Sequence, residues 1–236
     1  MDDRFLREEM LLGSAAMERL RRAHVAVFGI GGVGGSAAEA LVRGGVGCLT
    51  IVDGDTVALS NLNRQAFALS STVGMPKVEA AALRLLDINP SLELHPVQGI
   101  YLPGERDRFW ADYDYVIDAV DMVTAKLDLI VTARERGIPI ISSMGTGNKL
   151  DPSRLRVCDL AETSVCPLAR VMRRELKKRG VIHLTVVASD EEPLTPAPPP
   201  AGEQGARRAV PGSVSWVPPA AGLMLAGKVL RDLAGA

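Results

Sequence analysis

A glycine-rich segment is the first part of this sequence whose residue types and spacing indicate chemistry. It reads Gly29-Ile30-Gly31-Gly32-Val33-Gly34 and follows an apolar, β-branched run at 24–28. Glycines between a strand and a helix let the backbone approach a phosphate, which the positive end of the helix attracts. Asp53 closes the next apolar run, 19 residues beyond Gly34, where a carboxylate can hold ribose hydroxyls. The pattern predicts a nucleotide site and leaves NAD and ATP open; the alternative is a turn that serves only helix–strand packing.

Two downstream cations favour a triphosphate. Arg64 stands in the polar segment 60–65, which we expect to lie over the ends of the strands. Lys77 follows Pro76, which we expect at the first position of a helix. A lysine in a first turn opposes the helix dipole, so its presence suggests that a bound anion supplies compensating negative charge. The alternative is a solvated lysine, tolerated at small cost.

Two carboxylates, Asp118 and Asp121, follow the fourth predicted strand. The carboxyl end of a strand faces the ligand crevice in an open α/β sheet, and a carboxylate there can bind Mg²⁺ that bridges phosphate oxygens. One of the two could instead cap the following helix, and for Asp118 we favour that alternative. With Arg64 and Lys77, Asp121 predicts ATP, because phosphate charge must be neutralised before a carboxylate can attack it.

These residues need a sheet to bring them together, and the chain alternates strand-like and helix-like segments accordingly. The predicted strands are 24–28, 48–52, 92–97, 115–118 and 138–142, and the predicted helices are 4–12, 14–22, 34–43, 76–87 and 124–136. This alternation predicts an α/β fold with a doubly wound, mainly parallel, Rossmann-like sheet and helices on both faces.

After residue 147 the pattern changes, and we divide the chain into an ATP-binding domain at 1–150 and a C-terminal lobe at 151–236. Proline-rich and small polar residues predict a mobile loop within the lobe. The elements expected there are strands at 155–159 and 184–188, a charged helix at 167–179, the mobile loop at 190–211 and a closing helix at 220–233.

Four basic residues of the charged helix share one face by i, i+3, i+4, i+7 spacing. They are Arg170, Arg173, Arg174 and Lys177. Such a face can neutralise RNA phosphates although the net charge of the chain is −1. That charge balance excludes a globally basic nucleic-acid binder. On the residues alone, a solvated charged face is the more common explanation.

Cysteine and histidine usage excludes other kinds of site. Cys48, Cys158 and Cys166 form no C-x-x-C pair, which excludes a disulfide framework and a four-thiolate zinc site and suits a reducing cytosol. The histidines, at 24, 95 and 183, are far apart in the sequence, so we expect no histidine-rich metal centre. The opening residues lack the apolar core of a secretory signal, and the long uncharged run before Lys228 contains prolines. We therefore expect a cytoplasmic protein without a membrane span.

The sequence resembles the ThiF/MoeB/HesA superfamily of ubiquitin-activating-type adenylating enzymes. The resembling segments are 29–34, 53–55, 61–65, Lys77, 88–90 and 118–121. The resemblance implies an enzyme that binds ATP with Mg²⁺ and acts as a homodimer. The residues that it implies for the nucleotide are Gly29, Gly31, Gly32, Gly34, Asp53, Asp55 and Asn61, and those for catalysis are Arg64, Lys77, Asp121 and Arg7. Asp53 would bind the ribose, and Asp121 would bind the metal. The phosphates would be bound by Asn61, Arg64 and Lys77. Arg7 would come from the neighbouring subunit, whereas on the residues alone it is an ordinary surface arginine.

Within the superfamily the sequence is most similar to the tRNA threonylcarbamoyladenosine dehydratases. The resembling stretches are 143–152, 167–174, 211–213 and 217–222. This family adenylates a carboxylate on a modified tRNA adenosine and closes it into a ring, so tRNA is the implied substrate and the basic helix gains an RNA-binding role. The resemblance leaves open a sulfur-transfer or cysteine desulfurase system as a further protein partner.

Three other functions remain as alternatives. The nearest is an adenylyltransferase that activates the C-terminal carboxylate of a ubiquitin-like sulfur-carrier protein; such enzymes commonly carry two C-x-x-C pairs, which this chain lacks. The others are an NAD-dependent dehydrogenase and a non-catalytic nucleotide-sensing module. Cys166, before Pro167, could be a thioester-forming nucleophile, but ring closure needs no enzyme thioester, and we favour a structural role for it.

Overall fold

A computed structural model describes residues 3–197 and 211–236 of the 236-residue chain. Its centre is a seven-stranded sheet in the order β3-β2-β1-β4-β5-β7-β6. All neighbouring strands are parallel except β6 and β7, which pair antiparallel. The strands are β1 His24–Phe28, β2 Cys48–Asp53, β3 Glu93–Gln98, β4 Tyr115–Asp118, β5 Ile140–Ser143, β6 Leu155–Asp159 and β7 Thr185–Ser189.

Eight α-helices connect and cover these strands in the described part of the chain. They are α1 Leu6–Leu12, α2 Ser14–Arg22, α3 Gly32–Arg43, α4 Lys77–Ile88, α5 Arg106–Phe109, α6 Val123–Arg136, α7 Pro167–Lys178 and α8 Val217–Ala234. No helix among the described residues is both long and apolar enough to cross a membrane.

The central strand β1 shows why helices must cover both faces of the sheet. Val25 and Val27 point into a cluster with α3 and α8, whereas Ala26 and Phe28 point into a second cluster on the other face. Successive side chains of a strand alternate between faces, so an uninterrupted apolar run has to be buried twice. The predicted doubly wound α/β fold is confirmed.

The last third of the described chain extends the same sheet. β7 pairs in parallel with β5, and β6 pairs with β7, so the predicted boundary after residue 150 falls between strands of one sheet. Helix α8 packs against α3, where a Cβ on Gly222 would lie only 2.2 Å from the carbonyl oxygen of Val33. A glycine is therefore required at this crossing.

Element boundaries differ from the predicted ones by up to three residues. Helix α4 begins at Lys77, and Pro76 is its N-cap with extended ψ rather than its first helical residue. The short helix α5 was not predicted. Of the predicted loop at 190–211, residues 190–197 and 211 contain neither helix nor strand, and 198–210 lie outside the described residues.

Candidate active site

A cleft of about 630 Å³ opens at the carboxyl ends of β1, β2, β4 and β5. This is the edge at which open α/β sheets bind ligands. Most of the residues that the sequence assigned to the nucleotide and to catalysis line this cleft together. They are Gly29, Gly31, Gly32, Asp53, Asp55, Asn61, Arg64, Lys77 and Asp121.

The glycine loop leads from β1 into α3 and presents backbone to the cleft. Gly29 has φ +87°, and a Cβ there would lie 2.7 Å from the carbonyl oxygen of Ala119. At Gly31 the nearest atom to such a Cβ is the Gln65 Nε2, at 3.9 Å, so the protein itself leaves that space open. Gly31 is also the N-cap of α3, and no side chain caps this helix. Its first N–H groups are therefore available to an anion in the cleft.

Gly34 has a different position from the other predicted loop glycines. It is buried in the first turn of α3, and a Cβ there would lie 1.8 Å from the carbonyl oxygen of Gly29. It is not among the residues that line the cleft. Gly34 therefore lets helix α3 pack closely against the turn. It can influence nucleotide binding only through the shape of the glycine loop.

Asp53 joins the glycine loop to the end of β2. Its Oδ2 accepts the N–H of Ile30 at 2.6 Å, and its Oδ1 accepts the N–H of Asp55 at 2.8 Å. Burial raises the pKa of Asp53, and the charge of Lys77 together with these N–H donors partly opposes the rise. Asp53 thus fixes the loop, and its carboxylate still lines the cleft.

Lys77 is a buried cation at the amino end of α4. Its Nζ lies 2.7 Å from Asp55 Oδ2 and 4.0 Å from Asp53 Oδ1, and only 8% of its side chain is exposed. Asp55 also accepts the backbone N–H of Lys77 through its carbonyl oxygen. The two carboxylates therefore hold Lys77 against the unfavourable field of its own helix.

Arg64 is the second cation of the cleft. Its Nη1 donates to the Ser60 carbonyl oxygen at 3.0 Å and to Asn63 Oδ1 at 2.9 Å. Within residues 3–197 and 211–236, no carboxylate forms an ion pair with it. Asn61 Oδ1 accepts the N–H of Ala58 at 3.1 Å, which shapes the turn that carries both residues. Arg64 can therefore offer its charge to an anionic ligand.

Asp118 does not cap the following helix, so that expectation is wrong. Helix α6 has Met122 as its N-cap and no side-chain cap. Asp118 is fully buried, and its Oδ2 accepts Lys126 Nζ at 3.0 Å and Ser142 Oγ at 2.6 Å. Lys126 is equally buried, so the two form an internal ion pair beneath the cleft.

Asp121 is exposed in the loop between β4 and α6, and it lines the cleft. Asp53 and Asp55 are held by Lys77, which leaves Asp121 as the carboxylate of the cleft without a hydrogen bond to another described residue. Mg²⁺ is commonly held by one or two carboxylates together with substrate phosphates and water. A single free carboxylate facing the place for phosphates fits that requirement.

The loop after β5 also lines the cleft, although no role in nucleotide binding was predicted for it from its residues. It contributes Met144, Gly145 and Thr146, next to Ser143 at the end of β5. Its position at the carboxyl end of a parallel strand could have identified it, by the rule that singled out Asp121. Cys166 lies behind this loop, 2% exposed, with its Sγ 3.6 Å from a Cβ built on Gly145.

Two predicted features lie outside the cleft. Arg7 is exposed on α1 and does not line the cleft of its own chain. On α7, Arg170, Arg174 and Lys177 are exposed, whereas Arg173 is half-buried and donates to the carbonyl and hydroxyl oxygens of Thr163. The basic face therefore has three exposed members, of which Arg174 pairs with Glu175, and one member that is tied to the fold.

The family model described as "ThiF family" matches residues 5–236. The chain belongs to the ThiF family. This confirms the superfamily resemblance seen in the sequence.

Two known proteins are similar to this chain over almost its whole length, and a third is similar over about half of it. The tRNA threonylcarbamoyladenosine dehydratase of Bacillus subtilis strain 168 is 42% identical over 97% of this chain and 94% of its own length. The solved structure of the Escherichia coli tRNA N6-threonylcarbamoyladenosine dehydratase in complex with ATP has a TM-score of 0.89 and 34% identity. It covers 98% of this chain and 94% of the other. The molybdopterin-synthase adenylyltransferase of Escherichia coli K12 is 38% identical over 53% of this chain and 50% of its own length.

Proposed function

We propose that this ThiF-family protein is an ATP-dependent tRNA threonylcarbamoyladenosine dehydratase. The observation that carries the proposal is the similarity to the Bacillus subtilis dehydratase, which extends through β6, α7, β7 and α8 as well as the nucleotide cleft. The ATP-bound dehydratase structure that this fold matches supports ATP as the co-substrate. The cleft itself supplies an uncapped helix end and two cations for phosphates.

The reaction follows from the need to remove an oxygen atom from a carboxylate. A carboxylate oxygen of the threonylcarbamoyl group attacks the α-phosphorus of ATP, and pyrophosphate leaves. A nucleophilic atom of the same modification then attacks the acyl carbon, and the C–O bond to AMP breaks. The departing AMP carries the carboxylate oxygen, so the modified nucleoside loses the elements of water. Because the second nucleophile belongs to the same modification, its proximity lowers the barrier of ring closure.

Residues of the cleft would act on the phosphates and the ribose. The N–H groups at Gly31 and Gly32 would donate to phosphate oxygens, with Lys77 and Arg64 neutralising charge as pyrophosphate leaves. Asp53 would accept from a ribose hydroxyl. Asp121 would hold Mg²⁺, which would supply positive charge to the phosphates as pyrophosphate leaves.

The macromolecular partners of this reaction are tRNA and a second copy of the chain. Arg170, Arg174 and Lys177 offer exposed charge that could contact tRNA phosphates. Arg7 would enter the cleft of the neighbouring subunit, which is consistent with its position outside its own cleft. A sulfur-transfer or cysteine desulfurase partner stays a prediction from the resemblance.

A sulfur-carrier adenylyltransferase is the second candidate, and the similarity to the molybdopterin-synthase adenylyltransferase favours it. That similarity covers only about half of each chain. The two candidates differ in the carboxylate that is activated: a modified nucleoside in one and a protein C-terminus in the other.

The deciding experiment incubates the purified chain with ATP, Mg²⁺ and tRNA that carries threonylcarbamoyladenosine, followed by mass spectrometry of the nucleosides. We expect loss of one water from that nucleoside and release of AMP. Labelling the carboxylate with ¹⁸O should place the label in AMP. No nucleoside change, together with pyrophosphate exchange that depends on a carrier protein, would establish the second candidate instead.

A further inference from the structure

Three side chains that the proposed function does not use converge at the edge of the sheet opposite the cleft. His24 and Cys48 are the first residues of β1 and β2, and His95 is the third residue of β3. Each offers one ligand atom, and the three atoms lie within 4.8 Å of one another. Across residues 3–197 and 211–236, this is the group of His, Cys, Asp or Glu close enough to hold a metal ion. Two of the three histidines thus meet, although their distance in the sequence predicted that they would not.

The strand register explains this convergence. His24 lies opposite Cys48 in the β1–β2 pair, and Cys48 lies opposite Glu93 in the β2–β3 pair. His95 follows Glu93 by two residues and therefore points to the same face of the sheet. Neighbouring strands are about 4.8 Å apart, so three side chains on one face of three adjacent strands are within reach of one ion.

Hydrogen bonds already hold one nitrogen of each imidazole ring. His24 Nε2 lies 2.9 Å from Thr50 Oγ1, and His95 Nε2 lies 3.1 Å from Glu93 Oε1. Neither Nδ1 has a hydrogen-bond partner among the described residues. Histidines that bind metals commonly have this arrangement, in which a hydroxyl or carboxylate on one nitrogen orients the ring for ligation through the other.

The surroundings keep His24 in place. The ring of Tyr113 packs edge-on against it with a centroid distance of 4.9 Å, and Asp114 Oδ2 accepts its backbone N–H at 2.8 Å. His24 and Cys48 are half-buried and His95 is exposed, so the cluster is anchored on the protein side and open to solvent on the other. An ion can therefore reach it without unfolding of the sheet.

We propose that His24, Cys48 and His95 form a binding site for a zinc-class divalent ion that clamps the amino ends of β1, β2 and β3. Two imidazoles and one thiolate are donors that zinc prefers, and water can complete a tetrahedron. Tetrahedral zinc needs ligand atoms about 3.3–3.6 Å apart, so the side chains close in by about 1 Å through small rotations about their own bonds.

The protonation of the ligands is compatible with this chemistry. Burial and the neighbouring His95 lower the pKa of His24, which favours the neutral ring that ligates metals. Burial raises the pKa of Cys48 to about 11, so an incoming ion has to displace the thiol proton, as zinc does in other cysteine sites.

The site can be tested with Co²⁺, whose spectrum reports its ligands. The full chain is stripped of metal with a chelator and titrated with Co²⁺ under reducing conditions. We expect one equivalent to produce a thiolate-to-cobalt charge-transfer band, and Zn²⁺ to displace it. We also expect Zn²⁺ to raise the Tm of the stripped protein, because an ion that binds only the folded state stabilises it.

Variants locate the ion and separate this site from the cleft. Cys48→Ser should abolish the charge-transfer band, and His95→Gln should weaken Co²⁺ binding by at least about tenfold. Cys158→Ser and His183→Gln are matched controls, since Cys158 is also half-buried in a strand and His183 is also exposed beside a carboxylate. Both controls and Asp121→Asn should leave the band unchanged. A band that persists in Cys48→Ser, or the absence of any band in the unaltered chain, would overturn the proposal.

Discussion

At the scale of single residues, the cleft is organised by the way in which its charges are paired. Lys77 is held by Asp53 and Asp55, whereas Arg64 has no carboxylate partner in the described part of the chain, and Asp121 has none of its own. Paired charges fix positions, and unpaired ones attract a ligand of opposite charge. Nucleotide phosphates would therefore meet a rigid lysine and a free arginine, while Mg²⁺ would meet a free carboxylate.

The rigid lysine gives the first prediction. Lys77→Met keeps much of the side-chain volume and leaves Asp55, whose side chain is 66% exposed, free to be solvated. We expect adenylation to fall by at least about tenfold, because a preorganised cation that stabilises the leaving pyrophosphate is lost. Release of AMP during turnover with modified tRNA measures the rate, and circular dichroism checks the fold. Lys228→Met, on α8 and outside the cleft, is the matched control; equal rates in the two variants would remove Lys77 from the site.

The second prediction concerns the two acids at and after the end of β4. We expect one substitution to lower the stability of the protein and the other to change its dependence on Mg²⁺. Asp118→Asn leaves Lys126 buried without a countercharge, and breaking a buried pair in this way costs about 3–5 kcal/mol. Asp121→Asn changes an exposed side chain and should alter stability by no more than about 0.5 kcal/mol. It should instead shift the Mg²⁺ dependence of AMP release to higher concentration.

Thermal denaturation and a Mg²⁺ titration of both variants check this separation. A large drop in Tm for Asp121→Asn, or an unchanged Mg²⁺ dependence, would contradict the assignment of the metal to Asp121. A stable Asp118→Asn variant would show that Lys126 finds another way to be neutralised.

At the scale of elements, features set by consecutive residues could be predicted from the sequence, whereas contacts between distant segments could not. The glycine loop and strand β1 were predictable because turn chemistry and an apolar run are written in consecutive residues. The Asp118–Lys126 pair was not, since it requires α6 to return Lys126 beneath β4. The His24–Cys48–His95 cluster depends on the register of three strands, which no single segment specifies.

Helix α7 shows the same limit within one element. The helical spacing correctly placed four basic residues on one side, but only the packed structure shows that Arg173 donates to Thr163. It also shows that Glu175 pairs with Lys178, Arg174 and Arg179, and that these hydrogen bonds lower the pKa of Glu175 to about 2. Part of the basic charge is therefore neutralised within the helix.

The third prediction concerns the exposed charges on the predicted basic face of this helix. Replacing Arg170, Arg174 and Lys177 together by alanine should weaken tRNA binding and reduce the slope of log K against log salt by roughly 2–3, because fewer counterions are released. ATP binding should be unchanged, since none of the three lines the cleft. The control replaces Lys178 and Arg179, which lie outside the predicted basic face and pair with Glu175, and should change the slope less. An unaltered affinity and slope in the triple variant would place the RNA surface elsewhere.

At the scale of the whole molecule, helix α1 raises the question of assembly. Its residues Leu6, Met10 and Leu11 are exposed, the last by 88%, and none of its residues is buried. A helix with such apolar exposure suits contact with a second subunit, and a twofold dimer would place the same helix of each chain at equivalent positions. Arg7 lies on this helix, so a dimer contact would also carry its guanidinium towards a neighbouring molecule.

The fourth prediction tests whether Arg7 acts across such a dimer. Arg7→Ala and Lys77→Met should each be inactive alone, and subunits of the two variants are then mixed under conditions that allow exchange. If Arg7 reaches the partner's cleft, each mixed dimer has one site with both Lys77 and a donated Arg7. Half of the dimers are mixed at random exchange, so activity should return to about one quarter of that of the unaltered protein. AMP release measures the recovery, and sedimentation confirms the dimer. If Arg7 acted within its own chain, every site would lack one of the two groups and the mixture would remain inactive.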